Sequence, residues 1–354
     1  MPYVDYMKTR YILILVFFLL NLSAEATNKY IIQFDNDLFY DIDEDYTNGT
    51  RIAFMREHKD QAIKENVLQR GLHKLSGADS ETELGRFRTR GDGITRYAWG
   101  TGLTQLMFTP KDKSAKVPPY GERPFAGWLG LEFSLHTKNN ESVSSVTFSV
   151  GTTGKSSFAQ QTQDWVHKNI SNSHLFSGWD SQVPQEVTLN LHFDHKYKLP
   201  IDQLSENIPL KIDGYYEWGA AVGNFQTNGY LGLLLRTGYN LSASYSTPRV
   251  QIGSYAHDLF RVEDPRKNRF SFYTYAGFRG TGVLHDITLN GPLFRDFKYA
   301  VETKAFVGEA LLGYGLSWRH FELSHSFTHR TREFKSQKRK HPFGSVLIRF
   351  DMPF

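Results

Sequence analysis

Cysteine is absent from all 354 residues. That excludes disulfides and every thiolate zinc site. A dominant charge of one sign is also lacking: 41 Lys and Arg stand against 37 Asp and Glu, a net +4. No basic tract alternates with aromatics, so nucleic acid is not an expected partner. Beyond the N-terminus no apolar run approaches the roughly 18 residues that a spanning helix needs. Several catalytic signatures are missing too: there is no Gly-x-Ser-x-Gly elbow, no His-Glu-x-x-His and no phosphate-cradling P-loop.

What is present starts with a leader. Lys8 and Arg10 form a basic end, Tyr11 to Leu22 is apolar, and Ala24-Glu25-Ala26 fits a small-x-small cleavage site. The pattern predicts a signal peptide over 1–26 and export, with Thr27 as the mature start and Met7 as an alternative initiator. An uncleaved anchor is the competing reading; the small and polar residues that follow at once favour cleavage. Residues 27–354 then read as one domain.

Much of that domain alternates with period two. Leu129, Leu131, Phe133 and Leu135 interleave with Gly130, Glu132, Ser134 and His136. Val346, Ile348, Phe350, Met352 and Phe354 do the same with Ser345, Leu347, Arg349 and Asp351. Both a soluble sandwich and a transmembrane barrel give this pattern. Two features favour the barrel: strands end in Tyr, Trp or Phe, as interfacial girdles require, and an aromatic closes the chain. The expected fold is all-β, a roughly twelve-stranded antiparallel transmembrane barrel. Strands are predicted to start near Tyr30, Thr50, Tyr97, Gly127, Ser142, Glu186, Ile208, Tyr230, Phe270, Tyr299, Phe321 and Gly344.

An even count leaves both ends on the inner side, so loops near 38–49, 109–126, 152–184, 222–229, 282–298 and 332–343 face outward. Two inward connections are too long for turns. Residues 57–95 carry Ala62, Val67, Leu68, Leu72 and Leu75 at helical spacing, which predicts a periplasmic helical insertion. The stretch 243–268 is long as well.

The outward loops hold the chemistry. Asn36 and Asp37 precede Asp41, Asp43, Glu44 and Asp45, an oxygen-rich set that suits calcium. An EF-hand is excluded, because Tyr46 and Ile52 stand where its Gly and Glu belong. A solvated acidic loop, with Asn48-Gly49 acting as a tight turn, is the plainer alternative. Gln163 and His167 are four apart and share a face if Gln161 to Ile170 is helical. His167 is then a candidate base that draws a proton from water while Gln163 orients it. Lys111, Lys113, Lys116 and Arg123, with Lys335, Lys338, Arg339 and Lys340, could meet lipid phosphates or an oxyanion, or simply be solvated. His192 and His195 lie three apart in a strand, on opposite faces, and cannot share a metal as neighbours.

Five segments, in order, resemble the outer-membrane lipid A 3′-O-deacylase family. They are Asn36-Asp37 with Tyr46-Thr47-Asn48-Gly49, then Glu122 to Trp128, Gln161 to His167, Gly178 to Gln182, and Gly223-Asn224 with Gly229 and Arg236-Thr237-Gly238. The resemblance covers most of the mature chain. It implies a twelve-stranded barrel in the outer membrane of a Gram-negative bacterium. The implied activity is Ca²⁺-dependent hydrolysis of the 3′-linked acyloxyacyl ester of lipid A, in a setting of membrane lipids. Position by position it implies Asp37 near the metal, Asn36 and Thr47 in the site, and the pair Gln163 and His167, with His167 as base. The family's oxyanion lysine follows a Ser/Thr-Pro pair. Thr109-Pro110 matches that pair, and Lys113 is preferred over Lys116. No acid follows His167 closely, so Asp180 and Glu186 are its candidate partners. A phospholipase-type hydrolase and a non-catalytic channel or adhesin are the alternatives. Glu132, His136, Arg236 and Asp37 would crowd an open pore and argue against a channel. A monomer is compatible with all of these.

Overall fold

The computed structural model describes residues 26–37, 45–58, 96–112, 114–138, 142–171, 174–199, 201, 210–241, 247–251 and 270–353. Twelve strands close into one barrel, each antiparallel to its neighbours in sequence, with the last strand zipped to the first. They are β1 (Ala26–Asn36), β2 (Asp45–His58), β3 (Arg96–Thr109), β4 (Ala126–Lys138), β5 (Ser142–Thr153) and β6 (Val187–Lys198), followed by β7 (Leu210–Gly223), β8 (Gln226–Tyr239), β9 (Phe270–Asp286), β10 (Phe306–Trp318), β11 (Phe321–Arg330) and β12 (His341–Pro353). Closure leaves no edge strand, which is what hydrocarbon demands of a backbone with no water to bond.

Polarity is inverted relative to a soluble protein, and period-two alternation is the reason. Along β8, Leu231, Leu233 and Leu235 are exposed on the outside while Tyr230, Leu234 and Arg236 are buried. Along β4, Leu131 and Phe133 face out while Glu132, Ser134 and His136 are buried. Exposed Tyr239, Phe270, Phe272 and Trp318 cluster at the inward strand ends, one of the expected aromatic girdles.

Among the described residues, many lumen charges are paired. Arg51 meets Glu132 at 2.9 Å, Arg236 grips Asp213 at 2.9 and 2.7 Å, and Arg349 meets Glu322 at 3.0 Å. Glu57 holds both Lys29 and Lys138, at 3.1 and 2.8 Å. At the outward end Tyr46, Leu106, Phe108, Trp128, Phe225 and Phe343 form an apolar cluster, and the first three with Phe225 line a cavity of about 160 Å³. Among the described residues, paired charges occupy this interior in place of an open pore.

Eleven of the twelve expected strand starts fall within five residues of those found, and the segments around Asn36, Glu122 and Gln161 lie at the outward end. The exception is β10. It begins at Phe306, not near Tyr299, because Phe297 and Tyr299 belong to a folded outward loop. There Ala300 N–H bonds the Phe297 carbonyl, and Val301 N–H bonds the Leu289 carbonyl at the end of a short helical turn (Ile287–Asn290). The aromatic pattern of a strand start is here a loop packing on itself. The leader and the 57–95 insertion lie outside the described residues, except for the end of β2.

One connection departs from expectation. Residues 247–251 join the inward ends of β8 and β9, yet they lie inside the lumen. The Gln33 amide donates toward the carbonyls of Thr247, Pro248 and Arg249 at 3.1–3.2 Å, and Arg51 donates to the Gln251 carbonyl at 2.6 Å.

Candidate active site

The site sits on the outer face of the wall. Asn36 shares the face of Tyr30, Ile32 and Phe34, which are exposed to lipid, but Asn36 itself is covered. Asp37 follows just past the last paired residue of β1 and is fully buried. On the neighbouring strand the register slips between Tyr46 and Asn48, so Thr47 is the extra residue of a β-bulge. Bulges re-aim a side chain without ending the ladder. Here the Thr47 hydroxyl meets that of Thr109 on β3 at 2.7 Å. Asn48 and Gly49 are therefore strand residues, not the tight turn that their identity suggests.

A helix covers this end of the wall. After a 3₁₀ turn (Gly154–Ser157), α1 (Ala159–Val166) runs on into a π-helical turn (His167–Ser171). The expected helix over Gln161–Ile170 is thus present. Gln105 on β3 donates to the Ser157 carbonyl at 2.7 Å. Met107, Phe125, Ala159, Phe176 and Trp179 form one apolar cluster between wall and helix. Gly127 makes the approach possible: a Cβ there would lie 2.2 Å from Ser157 Oγ and 2.4 Å from Ala159 Cβ. The helix also leaves Trp165 and Ile170 exposed at 58% and 68%. An aromatic and an aliphatic side chain in that position suit the membrane interface.

Gln163 and His167 point from the buried face, at 3% and 4% exposure. Trp179 Nε1–H donates to Gln163 Oε1 at 2.8 Å. Indole nitrogen can only donate, so the amide orientation is fixed. Gln163 Nε2 then faces away from Trp179, buried and with no hydrogen-bond partner among the described residues. His167 Nδ1 lies 2.8 Å from the His174 carbonyl. A carbonyl can only accept, so Nδ1 carries the proton and Nε2 is the basic nitrogen of the neutral ring. The ring rests 5.9 Å from that of Phe176.

The histidine's partner is therefore a backbone carbonyl, not Asp180 or Glu186. Asp180 is exposed and pairs with Lys155 at 3.0 Å. Glu186 accepts from Asn224 at 2.9 Å. Arg123 is likewise not a headgroup contact. It is buried over the Phe108 ring and bonds Glu333 at 3.0 Å and Thr288 at 3.3 Å, tying three outward loops together. Burial alone would raise the Glu333 carboxyl, but the guanidiniums of Arg123 and Arg330 hold it below its ordinary value. Lys335 pairs with Glu302, whereas Lys338, Arg339 and Lys340 are exposed. Lys116 is exposed in the β3–β4 loop, and Lys113 lies outside the described residues. His192 and His195 do take opposite faces: His192 is buried beside Ser149, His195 half-buried beside Trp218.

Asn36, Asp37 and Thr47 offer an amide oxygen, a carboxylate and a hydroxyl, an oxygen-only donor set of the kind hard cations take. Among the described residues no three His, Asp or Glu converge on a metal position. Asp41, Asp43 and Glu44, with the Asp45 side chain, lie outside those described. The set fits calcium in kind, with Asp37 as its one described carboxylate.

Sequence comparison places this arrangement in a family. The profile of the family described as outer membrane protein LpxR matches residues 12–352. The chain belongs to the LpxR family. No curated protein matches it. Among solved structures, LpxR from Salmonella typhimurium superposes with a TM-score of 0.68 at 16% identity, covering 91% of this chain and 99% of that one. The translocator domain of the autotransporter NalP from Neisseria meningitidis gives 0.38 at 9% identity, covering 99% and 96%. The beta domain of the Bordetella autotransporter Brka gives 0.40 at 9%, covering 93% and 99%. The Salmonella LpxR shares the barrel, and membership of the LpxR family sets this chain in the outer membrane.

Proposed function

We propose that this LpxR-family barrel is a lipid A deacylase that hydrolyses the 3′-linked acyloxyacyl ester, with Ca²⁺ at Asp37. The observation that carries the chemistry is the pairing of an oriented base with an orphaned donor. His167 has its proton pinned on Nδ1 by a carbonyl, and Gln163 has its amide pinned by Trp179, both on one helix face. Their burial against the outer wall suits a substrate that arrives from the bilayer.

His167 Nε2 takes a proton from water, and the resulting hydroxide attacks the ester carbonyl. Gln163 Nε2–H is a donor, so it serves the water oxygen or the developing oxyanion. The Lys113 ammonium adds positive charge for that oxyanion. The imidazolium then returns its proton to the departing alkoxide, leaving a free fatty acid and a sugar hydroxyl. No covalent intermediate is required, in keeping with a site that lacks a serine elbow. Calcium, held by Asp37 with Asn36 and Thr47 beside it, would polarise the ester carbonyl as a Lewis acid. The leader over 1–26 accounts for export.

Mass spectrometry of lipid A from cells with and without the protein tests this reading. The expected result is loss of the 3′-linked chain, abolished by a chelator and restored by added calcium. An unchanged lipid A profile, or loss of phospholipid chains instead, would overturn it; indifference to the chelator would remove the metal from Asp37.

A further inference from the structure

The outer face of β1 and β2 carries the candidate site, but the same strand ends are gripped from inside. Asp35 immediately precedes Asn36 and Asp37, points into the lumen and is fully buried. Its carboxylate accepts from Val250 N–H at 3.1 and 3.0 Å and from the Tyr46 hydroxyl at 3.0 Å. Tyr46 directly precedes Thr47. The Asp35 carbonyl also accepts from the Asn48 amide at 3.2 Å. One residue thus joins the strand end that bears Asn36 and Asp37, the bulge that bears Thr47, and the segment 247–251. Space is tight at this junction: a Cβ on Gly49 would lie 1.9 Å from Tyr46 Oη and 3.3 Å from Val250 Cβ.

The segment is itself anchored at several points of the wall. Gln33 and Arg51 hold its backbone from β1 and β2. Arg249 pairs with Glu309 on β10, and Arg279 on β9 donates to the Gln251 side chain. It therefore bridges two separate arcs of the barrel, immediately behind the catalytic candidates.

Resting on the function proposed above, we infer that Asp35 is a positioning residue and that 247–251 is an inner strut. Together they set Asn36, Asp37 and Thr47 in the geometry the reaction uses. Strand ends that leave a sheet fray unless tied down. Two donors on one buried carboxylate, the Val250 N–H and the Tyr46 hydroxyl, are such a tie. A displacement of about 1 Å in a catalytic group costs on the order of a hundredfold in rate. A connection that starts from the inward strand ends would thereby hold the outer site in register.

The test uses the full-length barrel reconstituted in lipid vesicles. Val250→Pro removes the N–H that Asp35 accepts; Val250→Ala keeps it. Val250→Pro should lower kcat by about ten- to a hundredfold with KM within about twofold, while Val250→Ala stays within about threefold of wild type. Hydrogen exchange should rise about tenfold or more at the outward ends of β1 and β2 in Val250→Pro alone, with heat-modifiable migration retained. Wild-type kcat, or wild-type exchange at these strand ends, in folded Val250→Pro would overturn the strut. Should the proline variant fail to fold, isosteric Asp35→Asn serves in its place: kcat and exchange should move the same way by about three- to tenfold, and no movement overturns the inference. If the wild-type protein leaves lipid A intact, the proposed function fails, and the exchange measurement still decides the strut.

Discussion

The barrel holds two sets of buried polar groups, and they are built to opposite rules. In the lumen, full charges face one another at 2.7–3.1 Å, as in Arg236 with Asp213 and Glu57 with its two lysines. Beneath α1, the polar groups are oriented with capacity left over: Gln163 has one end of its amide fixed and the other unspent. Paired charges stiffen a scaffold, while a buried donor without a partner costs about 1–3 kcal/mol unless a ligand arrives to satisfy it. The difference separates architecture from reactivity even though both regions are polar, buried and a single sheet apart.

Four changes would break or sharpen this contrast. The largest effect is expected outside the wall. His167→Ala should cut kcat by about 10²–10⁴-fold with heat-modifiable folding intact, and retained turnover would show that the base lies elsewhere. Gln163→Leu, which removes the donor but keeps the bulk, should cost about ten- to a hundredfold in kcat, read against an unchanged melting profile. Inside, the pattern should reverse. Asp213→Leu takes the carboxylate from a buried guanidinium, so refolding titrations should show a loss of about 3–5 kcal/mol with kcat unaltered at permissive temperature. A loss of turnover without a loss of stability there would erase the distinction. The smallest effect concerns acid. Glu333 titrates below its ordinary value, so its stabilising contribution is complete above the unfolded carboxylate range and is lost as pH falls through the lowered value. Lowering pH from about 5 to 3 should therefore depress the wild-type melting temperature more than that of Glu333→Gln.

Much of the scaffold was legible in the sequence because a barrel writes its two faces in alternate letters. Leu131 and Phe133 announce lipid as plainly as Glu132 and Ser134 announce the lumen. The helix bearing Gln163 and His167 was legible through its four-residue spacing. Other features were hidden for physical reasons. The partner of His167 is the carbonyl of His174, and every residue has a carbonyl, so no side-chain pattern marks it. The bulge at Thr47 is a slip of pairing, visible only once β3 lies alongside. Arg123 stands amid outward loop residues yet is buried against Glu333, a contact between segments far apart in the chain. Phe297 and Tyr299 imitate a strand start because an interfacial girdle and a packed loop use the same aromatics. The path of residues 247–251 into the lumen leaves no compositional trace, since polar strut and polar turn look alike. Trp179 did carry a signal, in the run Gly178 to Gln182, but its task of fixing one amide appears only in three dimensions.

Trp165 and Ile170 stand bare on the roof above the candidate groups. On the function proposed above, a site beneath such a roof would be supplied sideways, by molecules gliding within a leaflet. Its reactant is counted per unit area, so velocity should track mole fraction in the sheet of lipid and stay flat when vesicles of fixed composition are diluted. Neither a gate nor a shaft through the cylinder has to open for turnover, and the cell keeps its permeability barrier while the coat outside is being remodelled.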